Sequence, residues 1–251
     1  MTFYNTNLMK KYFNALLAVL VLLPFFSFSQ TQNTEQEIYT LFDEVVGTDN
    51  TGIYKGTEYQ EKYKFTDKKH PYFKAQSFVI GSLNYEGELY FNLNMRYNLH
   101  EQEIILKIQN RNSTNVIIKL FKDKVSGFTI DGHRFVKVSG VDSNNDNIFG
   151  FYEVAFSNEI FLLLIKHKKN KTDSYENGFM YAEFINAKNE YIILFKGNYT
   201  QIKSKKDIIQ LFPKLKEKIN NFYKIKKSLR RINYNQFIIE LLKEIKLTKL
   251  K

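Results

Sequence analysis

Short stretches of alternating apolar and polar residues recur about every ten residues between residues 73 and 202, and polar turns separate them. An alternation with a period of two predicts β-strands that bury one face. No strand is followed by a convincing crossover helix, so the strands are expected to pair antiparallel. The pattern therefore predicts a mainly β body over residues 73–202, arranged as an antiparallel meander, a sandwich or a barrel-like sheet.

Two tight turns support this interpretation. Tyr85-Glu86-Gly87-Glu88 lies between two arms of alternating apolar residues, and Asp131-Gly132 lies between predicted strands at 128–130 and 134–138. Asp-Gly is typical of two-residue hairpin turns, whose central residues need positive φ angles. Both segments are therefore predicted to be hairpin corners.

The period becomes helical near Ser204. One apolar stripe contains Phe212, Leu215, Ile219 and Phe222, and a second contains Phe237, Leu241 and Ile245. This spacing predicts two or three amphipathic helices in residues 203–251, with a basic connection at residues 224–231. The stripes are expected to pack on the sheet or on each other, which we favour, or to lie on a membrane surface.

The start of the tail carries two signals of helix capping. Ser204 and Asp207 have the spacing of a capping box, in which two side chains bind the first free N–H groups of a helix. Pro213 suits the first turn of a helix, where its missing N–H costs no hydrogen bond. Both predict helix starts near the boundary of the β body.

Residues 1–29 have the features of a secretory signal peptide. Lys10 and Lys11 precede an apolar run at residues 15–28, and Ser27 and Ser29 supply small residues before a cut at Gln30. We therefore expect an exported protein, located in the periplasm, at the outer membrane or outside the cell. The alternative is a short membrane anchor. Residues 30–72 are expected to form a mixed or irregular lead-in.

Charge is distributed unevenly along the chain. Residues 203–251 carry 15 lysines and arginines against 4 aspartates and glutamates, whereas residues 31–202 carry 20 against 22. This asymmetry suggests a separate structural unit with its own electrostatic partner, but we favour the simpler interpretation of a solvated lysine-rich face. The candidate partners are an envelope protein, a surface polymer or an anionic membrane surface. A nucleic acid is disfavoured by the expected export.

Residues 142–153 (DSNNDNIFGFYE) resemble a calcium-binding loop. Asp142, Asn144, Asp146 and Glu153 occupy the positions that supply oxygen ligands in an EF-hand, but Asn147 replaces the glycine of its sharp turn. An EF-hand also needs a helix on each side, and both flanking segments are predicted strands. We interpret the segment as a polar hairpin loop, in which Glu153 is unable to complete a calcium cage.

No other motif assigns a chemistry. The four histidines, at positions 70, 100, 133 and 167, lack the spacing of metal ligands and are interpreted as exposed residues at turns or strand ends. Whether the fold brings them together is left open by the sequence. The chain contains no cysteine and no nucleophile-elbow, zinc-protease, P-loop or dinucleotide-binding motif. We therefore assign no catalytic, cofactor-binding or metal-binding residue and expect no cofactor.

Several segments together resemble a known group of proteins. They are FSFSQ at residues 26–30, GSLNYEGELYFNLNMRYNLHEQEIILKI from residue 81, GFYEVAFSNEIFLLLIKHKK from residue 150 and YIILFKGNYTQIKSKKDIIQLFPKLKEKI from residue 191. They resemble uncharacterised exported β-rich proteins of Bacteroidetes-type bacteria. The resemblance implies a location in a Gram-negative envelope and assigns no functional residues.

These observations leave two hypotheses about function. The first is a non-enzymatic envelope protein that binds a partner or has a structural role. The alternative is a hydrolase acting on envelope or extracellular polymers. A cleft with close carboxylates or a histidine–carboxylate pair would favour the hydrolase, because such pairs perform acid–base catalysis.

Overall fold

The structure is a computed structural model that describes residues 52–66, 68–109, 114–176 and 178–247. The expected signal peptide at residues 1–29 lies outside the described residues, as does the lead-in up to residue 51. A short 3₁₀ turn, Gly52–Tyr54, begins the described part of the chain.

The prediction of a mainly antiparallel β fold followed by helices is confirmed. Eleven described strands form one antiparallel sheet in the order β1-β5-β4-β3-β2-β6-β7-β8-β9-β12-β13, and β10 and β11 form a separate hairpin. Since β1 and β13 are the two edges of this order, the sheet that the described strands form is open. The strands are β1 (Thr57–Glu58), β2 (Val79–Tyr85), β3 (Glu88–Asn98), β4 (Glu103–Gln109), β5 (Asn115–Lys119), β6 (Val125–Ile130), β7 (His133–Val141), β8 (Asn147–Ser157), β9 (Phe161–Lys166), β10 (Lys169–Glu176), β11 (Phe179–Asn186), β12 (Glu190–Phe195) and β13 (Asn198–Gln201).

Both predicted hairpin corners are confirmed. Glu86 and Gly87 join β2 to β3 with φ angles of 53° and 89°, and Asp131 and Gly132 join β6 to β7 with φ angles of 48° and 73°. Positive φ at both central residues suits the right-handed twist of the flanking strands. Most connections in the sheet are hairpins, so its order is largely a meander.

In the described part of the chain four α-helices follow the sheet, and the two predicted apolar stripes of the tail pack on it. Phe237, Leu241 and Ile245 are buried in one cluster with Leu163 of β9 and Ile193 of β12. A second core, formed by β2–β8, lies beside this cluster. The prediction that the tail packs on the sheet is therefore confirmed for the described residues. The helices are α1 (Lys205–Leu211), α2 (Lys216–Ile225), α3 (Lys227–Ile232) and α4 (Tyr234–Leu247).

The predicted capping box is present at the start of α1. The Ser204 side chain accepts a hydrogen bond from the Lys206 N–H, and Asp207 accepts one from the Ser204 N–H. Pro213 begins a single 3₁₀ turn between α1 and α2. The basic connection predicted at residues 224–231 is wrong in part, because α3 occupies most of it.

Among the described residues, no helix combines the length and the hydropathy that a membrane-spanning helix requires.

Candidate functional site

Glu153 occupies a position on the sheet between the two cores. In β8 it pairs with Phe135 of β7 on one side and with Ile165 of β9 on the other. Residues two apart on a strand share a face, so His133 and His167 lie diagonally next to Glu153. A long side chain reaches a diagonal neighbour, and the sheet register therefore brings the three residues together.

The Glu153 carboxylate binds both imidazoles. Its Oε1 lies 2.5 Å from His133 Nδ1, and its Oε2 lies 2.5 Å from His167 Nε2. An ionised carboxylate only accepts hydrogen bonds, so each of these ring nitrogens donates an N–H. This leaves Nε2 of His133 and Nδ1 of His167, which make no hydrogen bond to the described residues.

The surroundings keep Glu153 ionised. Burial raises the pKa of its carboxyl group, but hydrogen bonds from His167 and His133 outweigh this effect and hold the pKa below its ordinary value. The Phe73 ring packs against both imidazoles, with centroids 5.3 Å from His133 and 5.2 Å from His167. Hydrogen bonds within the sheet and the Phe73 ring, which lies in the segment before β2, therefore hold the two imidazoles in place.

The cluster opens into a cleft of about 890 Å³, which we call the histidine cleft. Ala155, in the bulge of β8, and the amide side chains at the start of α4 line it as well. Its charged and histidine lining consists of Lys68, Lys69, His70, Lys74, His133, Glu153, His167, Lys168 and Lys169. Five lysines against one carboxylate give the cleft a positive potential.

Carboxylates outside the lining neutralise part of this charge. Lys69 pairs with Glu183 at 2.7 Å, Lys74 with Asp131 at 2.9 Å, and Lys168 with Glu190 at 2.8 Å. Lys169 donates to the His70 carbonyl at 2.6 Å, and burial lowers the pKa of its ammonium group. Lys68 is the exposed lysine of this lining that forms no ion pair with described residues.

A second cleft of about 880 Å³ adjoins the first, and we call it the arginine cleft. It is lined by five cations and, among the described lining residues, by no carboxylate; the cations are Lys188, Lys203, Lys205, Arg230 and Arg231. Lys203 pairs with Asp146 at 2.6 Å, and Lys205 donates to the Asn220 side chain at 2.8 Å. Its positive charge is therefore less neutralised than that of the histidine cleft.

The end of α3 places two arginines in the arginine cleft. Arg230 and Arg231 lie in the last turn of α3, where cations interact favourably with the negative end of the helix dipole. Asn233 then ends α3, and its side chain accepts a 3.0 Å hydrogen bond from the Gln236 N–H. This cap starts α4 directly, so the chain turns sharply and leaves the arginines at the cleft.

An asparagine pair forms the boundary that both clefts share. Asn189 Nδ2 donates to Asn235 Oδ1 at 3.1 Å, and the Tyr191 hydroxyl donates to the same oxygen at 2.7 Å. These contacts join the β11–β12 loop and β12 to the first turn of α4. Asn186 and Asn233 also line both clefts. The two clefts therefore meet at this asparagine boundary.

The interpretation of the histidines as exposed residues is wrong. His70 is buried, with 7% of its surface exposed, and its Nδ1 accepts a hydrogen bond from the Tyr72 N–H. His100, His133 and His167 are half-buried. All four do lie at turns or strand ends, but His70, His133 and His167 converge on the histidine cleft.

The acidic loop at residues 142–153 is the β7–β8 hairpin connection with its following strand. Asp142 accepts backbone hydrogen bonds from Asn144 and Asp146, each at 2.9 Å. Glu153 lies within β8 and faces the histidines, so the segment does not bring its carboxylates together. Among the described residues, no group of three or more histidines and carboxylates is arranged to hold a metal ion.

The turn residues of two successive hairpins are the signals in the sequence that point to the pairing of His133 with Glu153. Once the Asp131-Gly132 turn fixes the β6–β7 hairpin, His133 and Phe135 must share a face. The next hairpin then places Phe135 opposite Glu153. The arginine cleft had no comparable signal, because it depends on how α3 and α4 pack against the β11–β12 loop.

No protein-family model, no curated protein and no solved structure matches this chain.

Proposed function

We propose that the protein is a binding module that holds an anionic ligand in the histidine and arginine clefts, together called the basic seam. The observation that carries this proposal is the lining of the arginine cleft, with five cations and no carboxylate among its described residues. A concave site lined by one sign of charge concentrates ligands of the opposite sign.

The ligand chemistry follows from the side chains of the seam. Guanidinium groups match carboxylate, sulfate and phosphate oxygens with two parallel hydrogen bonds. The lysines that line the seam add electrostatic attraction that does not depend on a fixed hydrogen-bond geometry. The seam therefore suits a ligand that carries several carboxylate, sulfate or phosphate groups.

A titration with citrate, a small trivalent anion, tests this proposal. We expect saturable shifts of the backbone amide signals of Lys188 and Arg231 in nuclear magnetic resonance spectra at low salt. Lys188→Glu should weaken binding about fivefold, because it replaces attraction by repulsion at an exposed site. Lys107→Glu makes the same charge change on β4, outside both clefts, and should leave affinity within about twofold of wild type.

Equal weakening by the two variants would mean that citrate responds only to net charge. That result, or the absence of saturable shifts in the wild type, would refute a specific anion site in the seam. A thermal melt of each variant checks that the fold is intact.

A second candidate function is hydrolysis, and the His133–Glu153–His167 cluster favours it. Each imidazole uses one nitrogen to bind Glu153 and keeps the other for proton transfer. One neutral imidazole would take a proton from an attacking water, and one imidazolium would give a proton to the leaving oxygen. New chain ends appearing in a bound anionic polymer, and lost in His133→Gln, would identify a hydrolase.

We also propose that the protein is exported to the cell envelope. The basic start, short apolar run and small residues of segment 1–29 support this location. Cell fractionation with mass spectrometry of the N-terminus tests it. A mature chain that begins near Gln30 outside the cytoplasm is expected, and a cytoplasmic chain that retains residues 1–29 would contradict export.

A further inference from the structure

We propose that the natural ligand is an acidic polysaccharide chain that lies across both clefts of the basic seam. This inference rests on the proposed anion-binding function and specifies its ligand. It follows from three features of the seam, which are the continuity of the two clefts, the distribution of cations and the chemistry of the shared boundary.

Continuity comes from the lining residues that the clefts have in common. Asn186, Asn189, Asn233 and Asn235 line both, so a ligand in one cleft reaches the other without leaving the protein surface. Each cleft, at about 890 and 880 Å³, is large enough for a whole small-molecule ligand. A ligand that fills both is therefore extended.

Cations without a carboxylate partner among the described residues lie in both clefts. Lys68 in the histidine cleft, and Lys188 and Arg231 in the arginine cleft, are exposed and form no ion pair with described residues. A small anion reaches the cations of only one cleft at a time. A chain with regularly spaced negative charges meets all of them, and linked contacts raise affinity far beyond each single contact.

The boundary between the clefts favours a carbohydrate. Amide side chains both donate and accept hydrogen bonds, as sugar hydroxyls do. The side chain of Asn186 and the Nδ2 of Asn235 make no hydrogen bond to other described residues. Proteins that bind single-stranded nucleic acids stack bases on exposed aromatic rings. Four of the five aromatic rings that line the described seam are buried, namely Phe73, Phe184, Tyr191 and Tyr223.

Calorimetry with polygalacturonate, its dimer digalacturonate and the neutral methyl ester of the polymer tests the inference. We expect the polymer to bind at least tenfold more tightly than the dimer, with concentrations expressed in sugar units, and the methyl ester not to bind. Lys68→Glu changes the histidine cleft, and Arg231→Glu changes the arginine cleft. Each should weaken polymer binding about tenfold, whereas Lys107→Glu should change it less than twofold.

The possible outcomes separate this inference from the proposed function. If polymer and dimer bind equally per sugar, or if only one of Lys68→Glu and Arg231→Glu weakens the polymer, the ligand occupies one cleft. The inference then fails and anion binding stands. A single-stranded DNA of equal charge that binds more tightly than polygalacturonate would overturn the carbohydrate assignment. If neither these probes nor citrate bind the wild type, both proposals fail.

Discussion

Glu153 Oε2 in β8 and His167 Nε2, directly after the end of β9, lie 2.5 Å apart because of a β-bulge near Ala155. Val154 pairs with Leu164, whereas Phe156 pairs with Leu163, so one extra residue is accommodated on β8. Without it, Glu153 would pair with Lys166, and His167 would face the other side of the sheet. A one-residue shift reverses the face of every following side chain. The bulge therefore assembles the candidate site.

Replacing the Glu153 carboxylate should measurably destabilise the protein. We expect Glu153→Gln to lower the free energy of unfolding at pH 7 by about 1–3 kcal/mol, because two hydrogen bonds lose their ionised acceptor. Urea denaturation provides the measurement. Glu159→Gln is the matched control, since Glu159 is exposed in the β8–β9 turn, and it should change stability by less than about 0.5 kcal/mol. If both variants lose a similar free energy of unfolding, the hydrogen bonds of Glu153 to the two histidines do not stabilise the protein.

The pH dependence of the same variant follows from the direction of the pKa shift. The folded-state pKa of Glu153 lies below its ordinary value of 4.5, because hydrogen bonds from His167 and His133 outweigh the effect of burial. The stabilisation is therefore fully present above pH 4.5 and is lost as the pH falls through the folded pKa. The stability difference between wild type and Glu153→Gln should shrink in that range. A difference that stays constant down to pH 3 would contradict the shift.

Asp142 should be important for the β7–β8 loop without any bound ion. Its side chain, with 4% of the residue's surface exposed, accepts hydrogen bonds from the N–H groups of Asn144 and Asp146 and, at 3.4 Å, of Gln201. Burial raises its pKa, but these hydrogen bonds outweigh burial and lower it overall. Asp142→Ala should cost about 1–3 kcal/mol, since these donors lose their acceptor.

Hydrogen exchange and urea denaturation test this prediction. The amides of Asn144 and Asp146 should exchange faster in Asp142→Ala than in wild type. Asp123→Ala removes an exposed carboxylate elsewhere and should leave both stability and these amides unchanged. Unchanged protection at Asn144 and Asp146 would show that Asp142 does not order the loop.

The helices should be required for the stability of the sheet. Leu241 is almost fully buried against β9 and β12, so Leu241→Ala should cost about 2–5 kcal/mol through lost burial and a new cavity. Ile232→Ala is the matched control, because Ile232 is 85% exposed. It should change stability by less than about 0.5 kcal/mol. Equal effects would mean that the helices do not pack on the sheet in solution.

A chain that ends at Ile202 should fail to fold for the same reason. It would expose Leu163 and Ile193, which the helices cover, together with the rest of their apolar face. Circular dichroism and gel filtration of the truncated chain should show lost cooperativity or aggregation. If the truncated chain is folded and monomeric, the sheet is stable without the helices, and this prediction is wrong.

Local patterns predicted most of the sheet and the tail, and the failures have physical causes. The local pattern does not predict β10, because its sequence, KNKTDSYE, has no apolar alternation. This strand pairs with β11 outside the main sheet. The helix α3 was missed because KSLRRI has no apolar stripe, and its position depends on contacts with its neighbours.

The candidate site was less predictable than the fold. His133 and Glu153 belong to hairpins whose register can be derived from turn residues. The partnership with His167 depends on the bulge, and the arginine cleft depends on packing between α3, α4 and a loop distant in sequence. Such tertiary contacts leave no periodic signal along the chain.

Gly132 and Gly140 allow backbone conformation to be tested without a steric effect. A Cβ added at either glycine would meet no atom within 4 Å, but Gly132 has a φ of 73° whereas Gly140 lies in β7 without a positive φ. Gly132→Ala should therefore destabilise the protein by about 1–2 kcal/mol, the cost of a left-handed conformation with a side chain.

Gly140→Ala should be neutral or stabilising by up to about 1 kcal/mol, because alanine lowers the entropy of the unfolded chain without native strain. Urea denaturation of both variants provides the comparison. Since His133 follows Gly132 directly, a strained turn should also shift the His133 side-chain signals in nuclear magnetic resonance spectra. Equal stability of the two variants would mean that the turn does not hold Gly132 at positive φ. The turn would then not determine the strand register that places His133 beside Glu153.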